Sequence, residues 1–204
     1  MSAAYSINTE RLLLRCLDFK DVYELKAAID DSKDHLLRWM TWAKHEPEDI
    51  DKKLERIRKR RAEFDSDQAY QYGIFLCGDD KLIGTIALMR RVGQDALEIG
   101  YWLRTGYTGK GYMNEAASAL VKIAFELHEV DRLEIHCDVE NLKSAAIPRK
   151  LGFIHEATIR SNEKNEDGTR KKDMIWVLFK EEYQDSKQKT LELEAFDAAM
   201  RKIL

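Results

Sequence analysis

The chain has 204 residues, 44% of them hydrophobic, with 34 Lys and Arg against 37 Asp and Glu and a formal charge of −3. The apolar share excludes a disordered chain, two prolines exclude a linker-rich one, and the small net charge gives no reason to expect direct nucleic-acid binding. The length suits one domain, placed at 1–180, with an appendage at 181–204.

Residues 1–10 are polar and lack the apolar core of a signal peptide. Residues 11–17 read as a strand, after which Asp18 can cap a helix with the apolar stripe Val22, Leu25, Ala28 and Ile29. Trp39 and Trp42 fall between this helix and a second one, whose first turn suits Pro47. Ile50, Leu54, Ile57 and Phe64 keep near-helical spacing through the second helix, so the basic residues of 52–61 are expected on its outer face. The alternative is a surface that meets ribosomal RNA or an acidic protein. Residues 72–77 and Leu82–Met89 form a hairpin across Gly78, Asp79 and Asp80.

Residues 97–103 form the fourth strand and enter a turn carrying Gly106, Gly109 and Gly111. A helix follows over 113–128, with Ala117, Leu120, Val121 and Ala124 on its buried face. Leu133, Ile135, Cys137 and Val139 then alternate with polar residues as in a half-buried strand. Asn141 opens a polar turn, and 144–151 is a short helix stopped by Gly152. A charged, exposed stretch at 162–172 leads to a last strand at 174–179. The fold class is α+β, a mixed central sheet flanked by helices. The tail carries Leu191, Leu193, Phe196, Ala199, Met200, Ile203 and Leu204, expected as an amphipathic helix against its own domain or a twin subunit.

No apolar run approaches the ~20 residues of a membrane span. Cys16, Cys77 and Cys137 lie far apart and the five histidines show no ligand spacing, so the expectation is a metal-free, cytoplasmic protein.

The glycine turn carries the chemistry. Gly109 and Gly111 can adopt positive φ and point successive N–H groups into one concavity, and the helix start adds further free N–H groups that favour an anion. The combination is a phosphate cradle. It is not a P-loop, because Gly111 rather than Ser or Thr follows Lys110, and its order G-x-x-G-x-G is not the dinucleotide-binding G-x-G-x-x-G. A glycine turn without a ligand is the bland alternative.

Taken with 133–153, this segment resembles the acetyl-CoA-binding core of the GNAT superfamily, and within it the RimJ/RimL-type N-terminal acetyltransferases. The matching features are EIGYWL (98–103), GKGYMNEA (109–116), Asn141-x-x-Ser144 and LGF (151–153), with RLLLR (11–15) fitting the opening strand. The resemblance covers roughly 8–180 and implies the GNAT-type acyl-CoA N-acyltransferase fold, with acetyl-CoA as cosubstrate. It also implies cofactor contacts from Trp102, Leu103, Arg104, Thr108, Gly109, Lys110, Gly111, Tyr112, Met113, Asn141 and Ser144. Thr108 stands where Gln or Arg is usual, a loss that Lys110 or Arg104 would offset, and Met113 stands where Gly or Ala is usual.

Glu98 precedes Gly100 in the strand entering the cradle, and is a candidate base acting directly or through water; the alternative is a structural pair with Arg90 or Arg91. Many relatives place a tyrosine acid where this chain has Pro148, so the resemblance shifts proton donation to Ser144. Ser144 and Asn141 are equally compatible with helix capping and turn formation. Trp39, Trp42 and Tyr101 would form the acceptor wall, although both tryptophans also suit a core.

The expected activity is acetyl transfer to a primary amine, in the RimJ/RimL manner a protein N-terminal α-amine. A small-amine acetyltransferase acting on polyamines, amino acids or aminoglycosides remains open, as does a silent acyl-CoA-binding module. A nucleotide-binding enzyme is opposed by the missing Ser or Thr after Lys110. The resemblance also makes a homodimer plausible.

Overall fold

The computed structural model describes residues 3–79, 81–165 and 167–204, so Asp80 of the expected hairpin turn lies outside the described residues. The chain runs through β1 (Ser6–Asn8), β2 (Leu12–Cys16), α1 (Val22–Asp30), α2 (Lys33–Trp39), α3 (Ile50–Asp65), β3 (Ala69–Leu76), β4 (Leu82–Met89) and β5 (Ala96–Leu103). It continues with α4 (Tyr112–Glu126), β6 (Arg132–Asp138), α5 (Leu142–Lys150), β7 (Ile154–Lys164), β8 (Arg170–Phe179), α6 (Lys180–Gln184) and β9 (Glu194–Phe196).

All the strands join one sheet in the order β7-β8-β6-β5-β4-β3-β2-β1-β9. Neighbours are antiparallel except β5 and β6, which are parallel and joined by the α4 crossover. Their ladder pairs Ala96 with Arg132, Leu97 with Leu133 and Glu98 with Glu134, and stops there. Both strands nevertheless continue, held only on their outer sides: β5 by β4 as far as Leu103, β6 by β8 as far as Asp138. The sheet therefore opens between β5 and β6, leaving two facing backbone edges unpaired.

Strand alternation divides the side chains between two cores. On one face, Leu97 and Ile99 of β5 and Leu133 and Ile135 of β6 pack under Leu120, Val121 and four alanines of α4. Each such buried Leu, Ile or Val contributes about 1.5–3 kcal/mol. On the other face, Leu25, Ala28 and Ile29 of α1 and Ile57 of α3 cover Phe75, Leu82 and Trp102.

Four expectations change. Trp39 ends a separate short helix, α2, which buries only Leu36 and so leaves no apolar stripe to read. Pro47 lies ahead of α3, whose cap is Asp49, accepting from the Lys52 N–H at 2.9 Å. The charged stretch 162–172 mostly belongs to the β7–β8 hairpin; its side chains are largely exposed, so no hydrophobic alternation marks it. The tail is not an amphipathic helix. After α6 it forms β9, which pairs with β1 through Ser6–Phe196, Ile7–Ala195 and Asn8–Glu194. Leu191, Leu193 and Ala195 alternate with glutamates at period two, a strand pattern outweighing the helical spacing of the flanking residues.

Candidate active site

The opening between β5 and β6 is the centre of the site, and its two sides carry different chemistry. Glu98, Gly100 and Trp102 lie on the α1–α3 face of β5; Ile99, Tyr101 and Leu103 lie on the α4 face. A cleft of about 690 Å³ runs over the α1–α3 face, lined by Trp39, Trp42, Gln71, Thr85, Glu98 and Gly100 among others, and it reaches Tyr101, Asn141 and Ser144 through the opening.

Glu98 is 3% exposed and both its oxygens meet Arg91: Nε approaches Oε2 at 2.6 Å, and a second nitrogen meets Oε1. This hydrogen bonding raises the Arg91 pKa above its ordinary value. His136 Nδ1 lies 3.9 Å from Glu98 Oε2, while its Nε2 meets Glu134 at 2.6 Å, and Arg132 holds the other Glu134 oxygen at 2.9 Å. The structural pairing with Arg91 is thus present, and beside it a histidine connects Glu98 to a second carboxylate.

On the α4 face, Gly109 has φ 77° and Gly111 has φ 84° as the cap of α4. The Glu115 N–H donates to the Gly111 carbonyl at 3.1 Å; among the described residues, the N–H groups of 109–114 have no protein acceptor. Arg11 clamps this loop to β2 through Glu115 at 2.6 Å and the Lys110 carbonyl at 3.2 Å, and lies over the Tyr112 ring at 4.8 Å. Thr108 Oγ1 turns inward to the Thr105 carbonyl at 3.0 Å. Met113 is buried in the α4-face core and Leu103 packs against it.

Arg104 is not free to replace the missing charge at Thr108. Its guanidinium is bound to Asp31 and lies 3.9 Å from Glu24, because the strand end turns it toward α1. Lys110, over the Tyr107 ring at 5.2 Å, is the cation left on the loop itself.

Asn141 caps α5, its Oδ1 accepting from the Ser144 N–H at 3.1 Å. The cap role thus belongs to Asn141 and leaves the Ser144 hydroxyl available. That hydroxyl lies 3.2 Å from Tyr101 Oη, and the Tyr101 hydroxyl donates to the Ser144 carbonyl at 3.1 Å. Burial pushes the Tyr101 phenol well up, and pushes the neighbouring Cys137 thiol up to about 11, so both keep their protons. Tyr101 therefore lies beside Ser144, in the same cleft that Trp39 and Trp42 line. Trp42 packs on Trp102 with centroids 6.1 Å apart, placing Trp102 on the α1–α3 face of the sheet, and Trp39 lies under Arg38 at 4.6 Å.

Sequence reasoning missed His136 and Asp138, although their period-two spacing from Glu134 in a predicted strand puts all three on one face. It also missed the basic residues that α3 turns into the cleft. Lys53 is fully buried and ion-paired with Glu46, so it does not belong to an outer face.

A family model described as an acetyltransferase (GNAT) domain matches residues 11–154. The chain is 35% identical over 118 residues to the probable N-acetyltransferase YjcK of Bacillus subtilis (strain 168), covering 56% of this chain and 65% of the relative. It is 32% identical over 157 residues to the putative ribosomal N-acetyltransferase YdaF of the same organism, covering 74% and 82%. Among solved structures, RimL, a ribosomal L7/L12 alpha-N-protein acetyltransferase in complex with coenzyme A, superposes with a TM-score of 0.77 at 21% identity, over 85% of this chain and 97% of that one. At that identity the likeness is one of fold. No helix among the described residues is long and apolar enough to cross a membrane.

Proposed function

The chain belongs to the GNAT acetyltransferase family, a family of acyltransferases, and from that premise we propose that it moves an acetyl group from acetyl-CoA to the α-amine of a protein N-terminus. The observation that carries this reading is the opened β5–β6 pair, with Glu98 on one side of the opening and Ser144 on the other.

The free N–H groups of 109–114, with Lys110, suit the pyrophosphate of the cosubstrate, and Asn141 and Ser144 stand where its thioester arm would pass. Acetyl-CoA supplies the activated acetyl group. The acceptor enters over the α1–α3 face, where Trp39 and Trp42 border the cleft. A terminal α-amine has a pKa of about 7.7–8.0, against about 10.4 for lysine, so little base assistance is needed at neutral pH. Glu98 takes the proton through water, since Arg91 occupies both its oxygens. An N–H on the unpaired edge of β5 faces the charge that develops on the carbonyl oxygen. Ser144 gives its proton to the departing sulfur and recovers one from solvent, while Tyr101, which keeps its own proton, holds Ser144 through its carbonyl at 3.1 Å.

The test is CoA thiol release from acetyl-CoA with Ser- and Ala-starting peptides, polyamines and aminoglycosides. The proposal expects release with peptides. Release only with the small amines would replace the acceptor, and acetyl-CoA binding without any release would make the protein a silent binding module.

A further inference from the structure

The cleft is bipolar, and this specifies the acceptor beyond its amine; the inference rests on the acceptor reading above. On one side, α3 turns Lys53, Arg56 and Arg60, spaced three and four residues apart, toward the cleft, with Lys59 beside them. Glu46 neutralises Lys53, and Glu48 holds Arg56 at 2.6 Å. Arg60 meets only Glu63, in a solvent-exposed pair at 2.9 Å, and Lys59 has no partner among the described residues. Two positive charges at this wall thus lack a buried counter-charge.

On the other side stand Asp138, Glu163 and Asp173. Lys171 is the cation among them, 3.8 Å from both Asp138 and Glu163, and Asp173 has no ion-pair partner among the described residues. That wall carries net negative charge and borders the opening where the amine reacts. A polycation would suit this side but would meet repulsion at α3.

The distance between the walls sets the spacing. Because α3 packs over β3, two strand spacings separate it from β5, about 10 Å across the sheet, and its Lys and Arg side chains reach from the helix layer to the cleft. An extended peptide covers that span in about three residues. We propose that the acceptor is a peptide whose N-terminal amine lies at the Glu98 opening and whose third or fourth residue is acidic, its carboxylate held by Lys59 and Arg60.

Serine-starting peptides, identical except for Asp, Ser or Lys at the third and fourth positions, test this through CoA release by the wild type and by the Lys59→Glu/Arg60→Glu variant. The expected result is a kcat/KM about tenfold higher for the Asp peptide than for the Lys peptide, arising in KM and shrinking as salt is added. Charge reversal inverts the order. The Lys59→Gln/Arg60→Gln variant levels it, with acetyl-CoA affinity measured alongside to show that the fold is intact. Equal rates for the three peptides, or an unchanged order in the reversed variant, overturn the inference while leaving the transferase standing. Release with small amines but with no peptide overturns it together with the N-terminal acceptor.

Discussion

Glu98 is held by Arg91 on both oxygens, so its chemistry depends on what water can reach between it and His136. Glu98→Gln keeps the shape and removes the proton acceptor; kcat is expected to fall about 100-fold while acetyl-CoA affinity, measured by calorimetry, stays within twofold. A purely structural Glu98 would instead lower the melting temperature and leave kcat near wild type. Behind Ser144, Tyr101→Phe removes the hydrogen bonds that position it, and kcat is expected to drop about tenfold with little change in KM. His128 lies away from the site, stacked on Tyr70 at 4.3 Å. Burial first, and then Arg90, lowers its pKa to about 4. Its ordinary value is about 6.5, so as pH falls the unfolded chain takes up the proton before the folded one does. Stability from this group is complete above pH 6.5 and is lost progressively toward pH 4. The melting temperature should therefore fall between pH 7 and pH 5, and fall less in His128→Phe.

At the scale of elements, the glycine loop and the edge strands separate what local pattern reveals from what it hides. The loop was legible because positive φ at Gly109 and Gly111 is a local demand that glycine meets without strain. Gly111→Ala, at φ 84°, is expected to shift the loop and raise the Kd for acetyl-CoA about tenfold, read by calorimetry. The α4 helix and β5 were legible because each buries one regular face. Of the β7–β8 hairpin, the end of β8 at 174–179 was legible, where Val177 and Leu178 are buried; β7 and the start of β8 were not, since strands with little buried surface leave no alternation to find. The tail failed differently: β9 exists because β1 offers it an edge, a partner 186 to 190 positions away in the Asn8–Glu194 to Ser6–Phe196 ladder that no local window contains. Lys122 reinforces it by donating to the carbonyls of Lys189 and Leu191. Removing residues 191–204 is expected to expose Ile7 and lower the melting temperature by about 5–10 °C.

Across the whole molecule, the sheet brings two approaches to one opening: a glycine loop with free N–H groups on the α4 face and a charged, aromatic-bordered cleft on the α1–α3 face. The conformation of the loop could be read from sequence because its residues are contiguous. The cleft could not, because Lys59, Glu98, Asp138 and Asp173 meet only when α3, β5, β6 and β8 share one face. Even Tyr101 acquired its position beside Ser144 from the parity of β5 and the start of α5. The most direct test is mass spectrometry of a serine-starting peptide after incubation with acetyl-CoA and the protein. The account predicts one added acetyl group, located by fragmentation on the α-nitrogen, and none with Glu98→Gln over the same interval. Acetylation at lysine side chains alone, or release of CoA with free acetate and an unmodified peptide, would contradict it.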